Sequence, residues 1–243
     1  MFLFNNFRMD QNKRAKFQNA EKEDHGPSAA ARDQLSDLPN ALAHHILSLV
    51  PTIDAIRMSL VSKCWRDVWY SLPVIEFSDA DARRKEGKHK RFVSKCLRLR
   101  RRDLLNTTDT AITTFKLRTF RSTRNVDCWL KLVAKSRIKD LDLYFCPDSS
   151  TVFKLPSDVL RIRSLTRLRL INVRMENSLQ SLVFQFWSLC LCSASLWRIN
   201  LCDLLSGCSA LVKLVLDDCK GLSVPRIQVS RYCYIFWRRN ISS

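Results

Sequence analysis

The sequence predicts an α+β chain in which a small three-helix module is followed by a short, irregular array of strand-and-helix repeats. Two patterns predict it. Between Leu35 and Leu72 apolar residues recur at helical spacing in three short runs, each opened by a residue able to cap a helix. Beyond residue 110 the pattern apolar-x-x-apolar-x-apolar-x-x-apolar recurs, and its middle pair is suited to face the core from a strand. Only four glycines and seven prolines punctuate the 243 residues, which excludes a many-turned β-sandwich or a linker-rich chain. Apolar residues make up 46%, enough to build a core and to exclude wholesale disorder. The length suits one large domain or two modest ones.

Residues 1–32 read as a polar leader, with Gly26-Pro27-Ser28 breaking any helix begun before it. Lys13-Arg14-Ala15-Lys16 has the composition of a nuclear address, and the expected compartment is cytoplasmic, nuclear or both. Ser36 or Asp37 can cap the first helix, and Pro39 suits its first turn, where a missing N–H costs nothing. Leu42, Ile46, Leu49 and Val50 form its stripe, from which Leu47 departs, and Pro51 stops the run. Thr52 can cap a second helix carrying Ile56, Leu60 and Val61, and Ser62 a third carrying Trp65, Val68 and Trp69. So small a module leaves apolar faces over. Either another protein covers them or the rest of this chain does.

The markers Leu38-Pro39, Ile46-Leu47, Pro51 and Val61-Ser62-Lys63-x-Trp65-Arg66 stand in order and at family spacing. From Asp33 to Phe77 the run resembles the F-box of plant F-box/leucine-rich-repeat proteins. The resemblance implies a helical module that docks on the Skp-type adaptor of a cullin–RING (SCF) ubiquitin ligase. By position it assigns the docking surface to Leu38, Pro39, Leu42, Ile46, Leu47, Pro51, Ile56, Val61 and Trp65, with Trp69 and Leu72 packing the join to the next domain. Cys64 stands where the family usually has arginine, and Met58 where it often has threonine; neither is a central anchor.

The repeat pattern is met by Ile112–Phe120, Ile138–Cys146, Leu165–Val173, Leu196–Leu204 and Leu211–Cys219. The first three strand centres fall about 26 residues apart, as this repeat type requires, whereas the next intervals, about 31 and 15, do not. Leu179-x-x-Leu182-x-Phe184-x-x-Trp187 is a further candidate strand, and Arg231–Arg239 shows no repeat. The expected segments are therefore the leader 1–32, the helical module 33–77, a basic linker or start of the repeat domain 78–110, repeats over 111–222 and an irregular tail 223–243. Phe115-Lys-Leu117, Val126-Asp127-x-Trp129-Leu130 and Lys139-Asp-Leu-Asp-Leu143 also resemble the plant F-box/leucine-rich-repeat architecture. That resemblance implies a helix carrying Trp129 between strands, and buried cysteines at strand ends. Relatives commonly continue through more repeats and an FBD-type domain, so the ending at Ser243 reads as truncation or divergence.

The formal charge is +18, with the excess concentrated between Arg83 and Arg124. Such a run is ordinarily a solvated face, and otherwise a surface for phosphate or an acidic partner. Ten cysteines occur at irregular spacing with Cys190-x-Cys192 the close pair, which fits reduced thiols better than a disulfide framework. The four histidines pair with no cysteine at zinc-finger spacing, so neither a metal nor a cofactor is expected. Asn177–Trp197 lacks charge but holds five serines, composition better suited to buried repeat strands than to a membrane span. Asp140 and Asp142 read as solvent-facing strand carboxylates, Asp217 and Asp218 as rim charges, and no catalytic constellation is present. The expected role is thus a non-enzymatic substrate receptor that raises a target's effective concentration. Two other readings are a basic nucleic-acid-binding protein working through residues 83–124 and a degenerate adaptor-binding protein without a target.

Overall fold

A computed structural model describes residues 38–78, 86–104, 112–119, 125–146, 152–175, 185–196, 207–221 and 234–238. The chain divides at Asp37 into two units, and all of the described residues belong to the second. The polar leader, with its basic tetrapeptide, lies outside the described residues, as do Ser36 and Asp37.

Three short helices open this unit: α1 (Asn40–Leu49), α2 (Thr52–Met58) and α3 (Lys63–Ser71). Pro39 and Pro51 occupy the positions before α1 and α2, and their carbonyls accept the first helical N–H bonds. Thr52 is therefore the first residue of α2 rather than its cap. Ser62 caps α3, its hydroxyl accepting the Trp65 N–H at 3.4 Å. The core of the module is Ala43, Leu47, Ala55, Ile56, Trp65 and Val68. This corrects the expected stripe of α1, since Leu47 is buried whereas Leu42 is 52% and Leu49 72% exposed. Hydrophobicity alone chose the wrong face. The bulk of this core comes from Trp65 on α3, on which α1 packs, and α1 supplies the small Ala43 and one leucine.

Next come β1 (Val74–Ser78), α4 (Glu86–Leu104), β2 (Thr114–Thr119), α5 (Val126–Val133) and β3 (Asp140–Phe145). The second half holds β4 (Phe153–Lys154), α6 (Ser157–Leu160), β5 (Arg167–Ile171), β6 (Val173–Met175), β7 (Ser188–Cys192), β8 (Ser195–Leu196), β9 (Lys213–Asp217) and β10 (Tyr234–Arg238). A seven-stranded sheet runs β1-β2-β3-β5-β7-β9-β10, parallel throughout, beside a small sheet β4-β6-β8. Register aligns Ile75, Phe115, Leu141, Leu168, Leu189 and Leu214 in one buried row. A second row aligns Phe77, Leu117, Leu143, Leu170, Leu191 and Leu216. Side chains alternate along each strand, so these two rows fill one side and the remaining positions face solvent.

The α+β class, and strands at Ile112–Phe120, Ile138–Cys146, Leu165–Val173 and Leu211–Cys219, agree with the sequence. The fourth repeat does not. Its strand is Ser188–Cys192, in the frame Phe186-x-x-Leu189-x-Leu191-x-x-Ala194, each of whose four named residues is buried. The preferred segment, Leu196–Leu204, lies mostly outside the described residues. The irregular intervals of about 31 and 15 came from this misplaced strand. The true frame was hidden because Cys190 and Cys192 on the outward positions score as apolar, while the inward Ala194 is small. Trp187, read as a strand residue of the Leu179 pattern, is exposed beside buried Phe186. Tyr234–Arg238, where no repeat was legible, pairs parallel with β9.

The strand ends share one device. Asn172, Ser193 and Asp218 each follow a strand with positive φ. Their N–H groups donate to the last carbonyls of the next strands, at Cys192, Asp217 and Arg238. At Gly221 φ is +82° and an added Cβ would meet the Leu196 carbonyl oxygen at 2.8 Å, so glycine is required there.

Candidate docking surfaces

The helical module presents the first surface. Of the residues expected to dock on an adaptor, Pro39, Leu42, Pro51 and Val61 are exposed, and Leu38 and Ile46 are half-buried. Leu47, Ile56 and Trp65 lie in the module's core, where they can support that surface from beneath but not meet a partner. Leu49, in the apolar stripe of α1 but outside the expected docking set, is exposed as well. It shares a groove with Pro51, Leu72, Pro73 and Val74 at the α1–α2 junction. Cys64, the departure from the family pattern, donates its S–H to Asn40 Oδ1 at 3.1 Å and so ties the starts of α3 and α1.

The module is fastened to the sheet. Arg100, inside the basic run, is 1% exposed. Its Nη1 donates to the Trp69 carbonyl at 3.1 Å, Nη2 donates to the Leu72 carbonyl, and the guanidinium lies 5.6 Å from the Trp69 ring centroid. These carbonyls end α3, where a cation is favoured. The basic run is therefore not wholly a solvated face. Trp69 and Leu72 are buried, where the join was expected. A second tie is the Glu76 N–H, which donates to Thr52 Oγ1 at 2.9 Å. Trp129 of α5 is buried, and its indole donates to Ser94 Oγ of α4 at 2.8 Å.

The second surface is the solvent face of the sheet. Register places Glu76, Lys116, Asp142 and Arg169 in one row of alternating charge. Glu76 pairs with Lys116 at 3.6 Å and Arg118 at 3.8 Å, and Asp142 with Arg169 at 3.9 Å. In the adjacent row Arg167 makes a two-pronged contact with Asp140, the planar fork that suits a carboxylate. Burial raises the Asp142 carboxyl above its ordinary range, against the pull of Arg169, Arg118 and Lys116. Beyond Arg169 the same row continues as Cys190, Val215 and Phe236. That row thus turns from charged to apolar across β7.

The eight described cysteines are free thiols. Cys190 and Cys192 share the solvent face with their sulfurs 3.6 Å apart, and burial, then Cys190, pushes the Cys192 thiol up to about 12. Among the described residues no group of three or more histidine, cysteine or carboxylate side chains could hold a metal ion. No helix there is long and apolar enough to cross a membrane. The second half of the uncharged run Asn177–Trp197 is instead occupied by β7 and β8.

A small helical module tied to a parallel-strand repeat sheet thus presents two candidate docking surfaces. Comparison with known proteins supplies the family. Residues 35–77 match the F-box domain, and residues 126–242 match the repeats described as "FBD-associated F-box protein At5g56370, LRR repeats". Among similar proteins from Arabidopsis thaliana, F-box/FBD/LRR-repeat protein At5g56420 is 26% identical over 82% of this chain and 47% of its own length. Putative F-box/LRR-repeat protein At3g18150 is 30% identical over 80% of this chain and 40% of its own. F-box/LRR-repeat protein At3g58900 is 32% identical over 81% and 54%. The chain thus carries an F-box and leucine-rich repeats of the FBD-associated plant type. It spans about half the length of the curated relatives it matches. No solved structure matches it.

Proposed function

We propose that the chain acts as a substrate receptor of an SCF-type ubiquitin ligase, with the helical module, bounded at 33–77, on a Skp-type adaptor and the repeat sheet on a target protein. The observation that carries this reading is that the apolar Leu42 and Val61 are each more than half exposed on a module that matches the F-box. Leucine and valine exposed on so small a module, with Pro39 and Pro51 exposed as well, are apolar area that a protein partner would remove from water, at about 25 cal/mol for each Å² covered. Leu47, Ile56 and Trp65 hold the helices that present it. Bond-forming chemistry belongs to a separate enzyme in this reading, and the chain contributes proximity. Its place of action is the cytoplasm, the nucleus or both.

The test is a pull-down of purified Skp-type adaptor by the full chain. Leu38→Ala/Pro39→Ala and, separately, Leu42→Glu/Val61→Glu should abolish capture while leaving the thermal transition in place, since the second pair lies outside the core. Undiminished capture by both variants, or none by the wild type, sinks the reading.

The nucleic-acid alternative is weaker on these observations. Within the basic run Arg100 is consumed by Trp69 and Leu72, and Lys116 and Arg118 lie against Glu76. These three cations, one buried and two ion-paired, would displace few counterions from a phosphate backbone.

A further inference from the structure

The two ends of the sheet's solvent face differ in how their charges are spent. On β1 to β5 the carboxylates of Glu76, Asp140 and Asp142 each hold a cation. On β9 and β10 the exposed Lys213 and Arg238 make no ion pair among the described residues, and neither does Asp217, which stands opposite Arg238 in register.

Beside Lys213 lies an apolar rim. Trp187 is 42% and Val212 52% exposed, although both flank well-packed strands. Their positions are fixed, because the Trp187 carbonyl accepts the N–H groups of both Val212 and Lys213 at 2.9 Å. The indole is held as well. The Arg167 guanidinium lies 5.6 Å from its centroid, and Asp140 holds that guanidinium. A rigid tryptophan next to an arginine, an aliphatic side chain and an unpaired lysine is the composition of an interface anchor. Val215 and Phe236, the latter 42% exposed, extend the apolar surface along β9 and β10.

We propose that this end of the sheet is where a target docks, and that what docks is an acidic peptide segment carrying an apolar side chain. The apolar side chain covers Trp187 and Val212, and a carboxylate of the segment meets Lys213. The proposal rests on the receptor reading and gives its unknown target a chemistry. The sign of the partner follows from the charges: the carboxylates of β1 to β5 are already occupied by neighbouring cations, whereas Lys213 is left over beside the apolar rim. A basic segment over Trp187 would meet Lys213 with like charge, since the unpaired Asp217 stands at the far end of the same strand. A nucleic acid would need a row of available cations, and this face offers isolated ones.

The experiment uses the full chain in complex with the adaptor. Fluorescent synthetic peptides alternating Glu with Leu and Phe are titrated by polarisation, alongside counterparts with Gln or Lys in place of Glu. A single-stranded oligonucleotide serves as competitor. The Glu peptide should bind, the Gln peptide should lose roughly tenfold, and the Lys peptide should fail. Lys213→Glu and Trp187→Ala should each lose roughly tenfold, whereas Lys131→Glu, at an exposed position of α5, should match the wild type. Equal binding by all variants, equal binding of Glu and Gln peptides, no binding, or displacement by the oligonucleotide would each overturn the proposal. Adaptor retention in the same samples separates it from the receptor reading. A protein that keeps the adaptor but ignores the peptides sinks only this proposal, and one that takes the peptides but not the adaptor sinks only the receptor reading.

Discussion

Arg100 donates to the backbone carbonyl of Trp69 and lies over its indole, so a single buried cation from α4 closes the end of α3. Replacing Arg100 with Ala removes the charge and leaves the carbonyls of Trp69 and Leu72 without this donor. The expected cost is about 2–4 kcal/mol, read as a lowered midpoint in chemical denaturation. Arg100→Lys should recover part of it, because an ammonium can reach a carbonyl but cannot stack as a plane. A midpoint unchanged in the alanine variant would show that the clamp is inert.

Leu47 and Leu49 lie two residues apart on α1 and should behave oppositely. Leu47→Ala opens a cavity in the module and should cost about 2–5 kcal/mol. Leu49→Ala, at an exposed site, should stay within about 0.5 kcal/mol. Denaturation of both variants decides whether the buried face is the one described.

Thiol chemistry gives a prediction in pH. Burial pushes Cys96 from an ordinary 9.0 to about 12, with Lys95 pulling weakly the other way. A thiol whose pKa is raised by folding contributes its stability fully below pH 9 and loses it as pH climbs from 9 toward 12, because the unfolded chain ionises first. Stability should therefore fall across that window, and Cys96→Ala should flatten part of the slope. At pH 8 in the native state, iodoacetamide should label exposed Cys128 well before Cys96; mass spectrometry of the digested protein reads the order.

Gly221→Ala should destabilise by more than about 1 kcal/mol, since a Cβ at this positive φ also meets the Leu196 carbonyl. A thermal transition equal to wild type would mean that the turn relaxes at no cost.

The helical module and most strands were legible because their signals are short-range. Proline at helix starts, a serine cap and the spacing of paired leucines act within a few residues. What sequence missed was decided by neighbours far along the chain. The face of α1 turned on how much room Trp65 occupies. Arg100 looked like one more solvated cation, yet α3 ends against it. The fourth strand was displaced because cysteine is apolar by scale while facing water at Cys190 and Cys192. β10 was invisible as a repeat since its aromatic and basic residues carry no leucine spacing, and β9 gives it a template. The residues expected to dock divided likewise: position in a motif gave the set, but only packing separated those that touch solvent from those beneath.

The left-handed residues Asn172, Ser193 and Asp218 have a consequence for how such a chain can change. Each pins one shelf of the stack to the next at the same corner, whatever length of chain lies between shelves. Insertions and deletions are thereby exported to the opposite side, and the display wall keeps its alignment. A lineage could then exchange outward side chains one at a time, altering what is recognised without rebuilding what supports it.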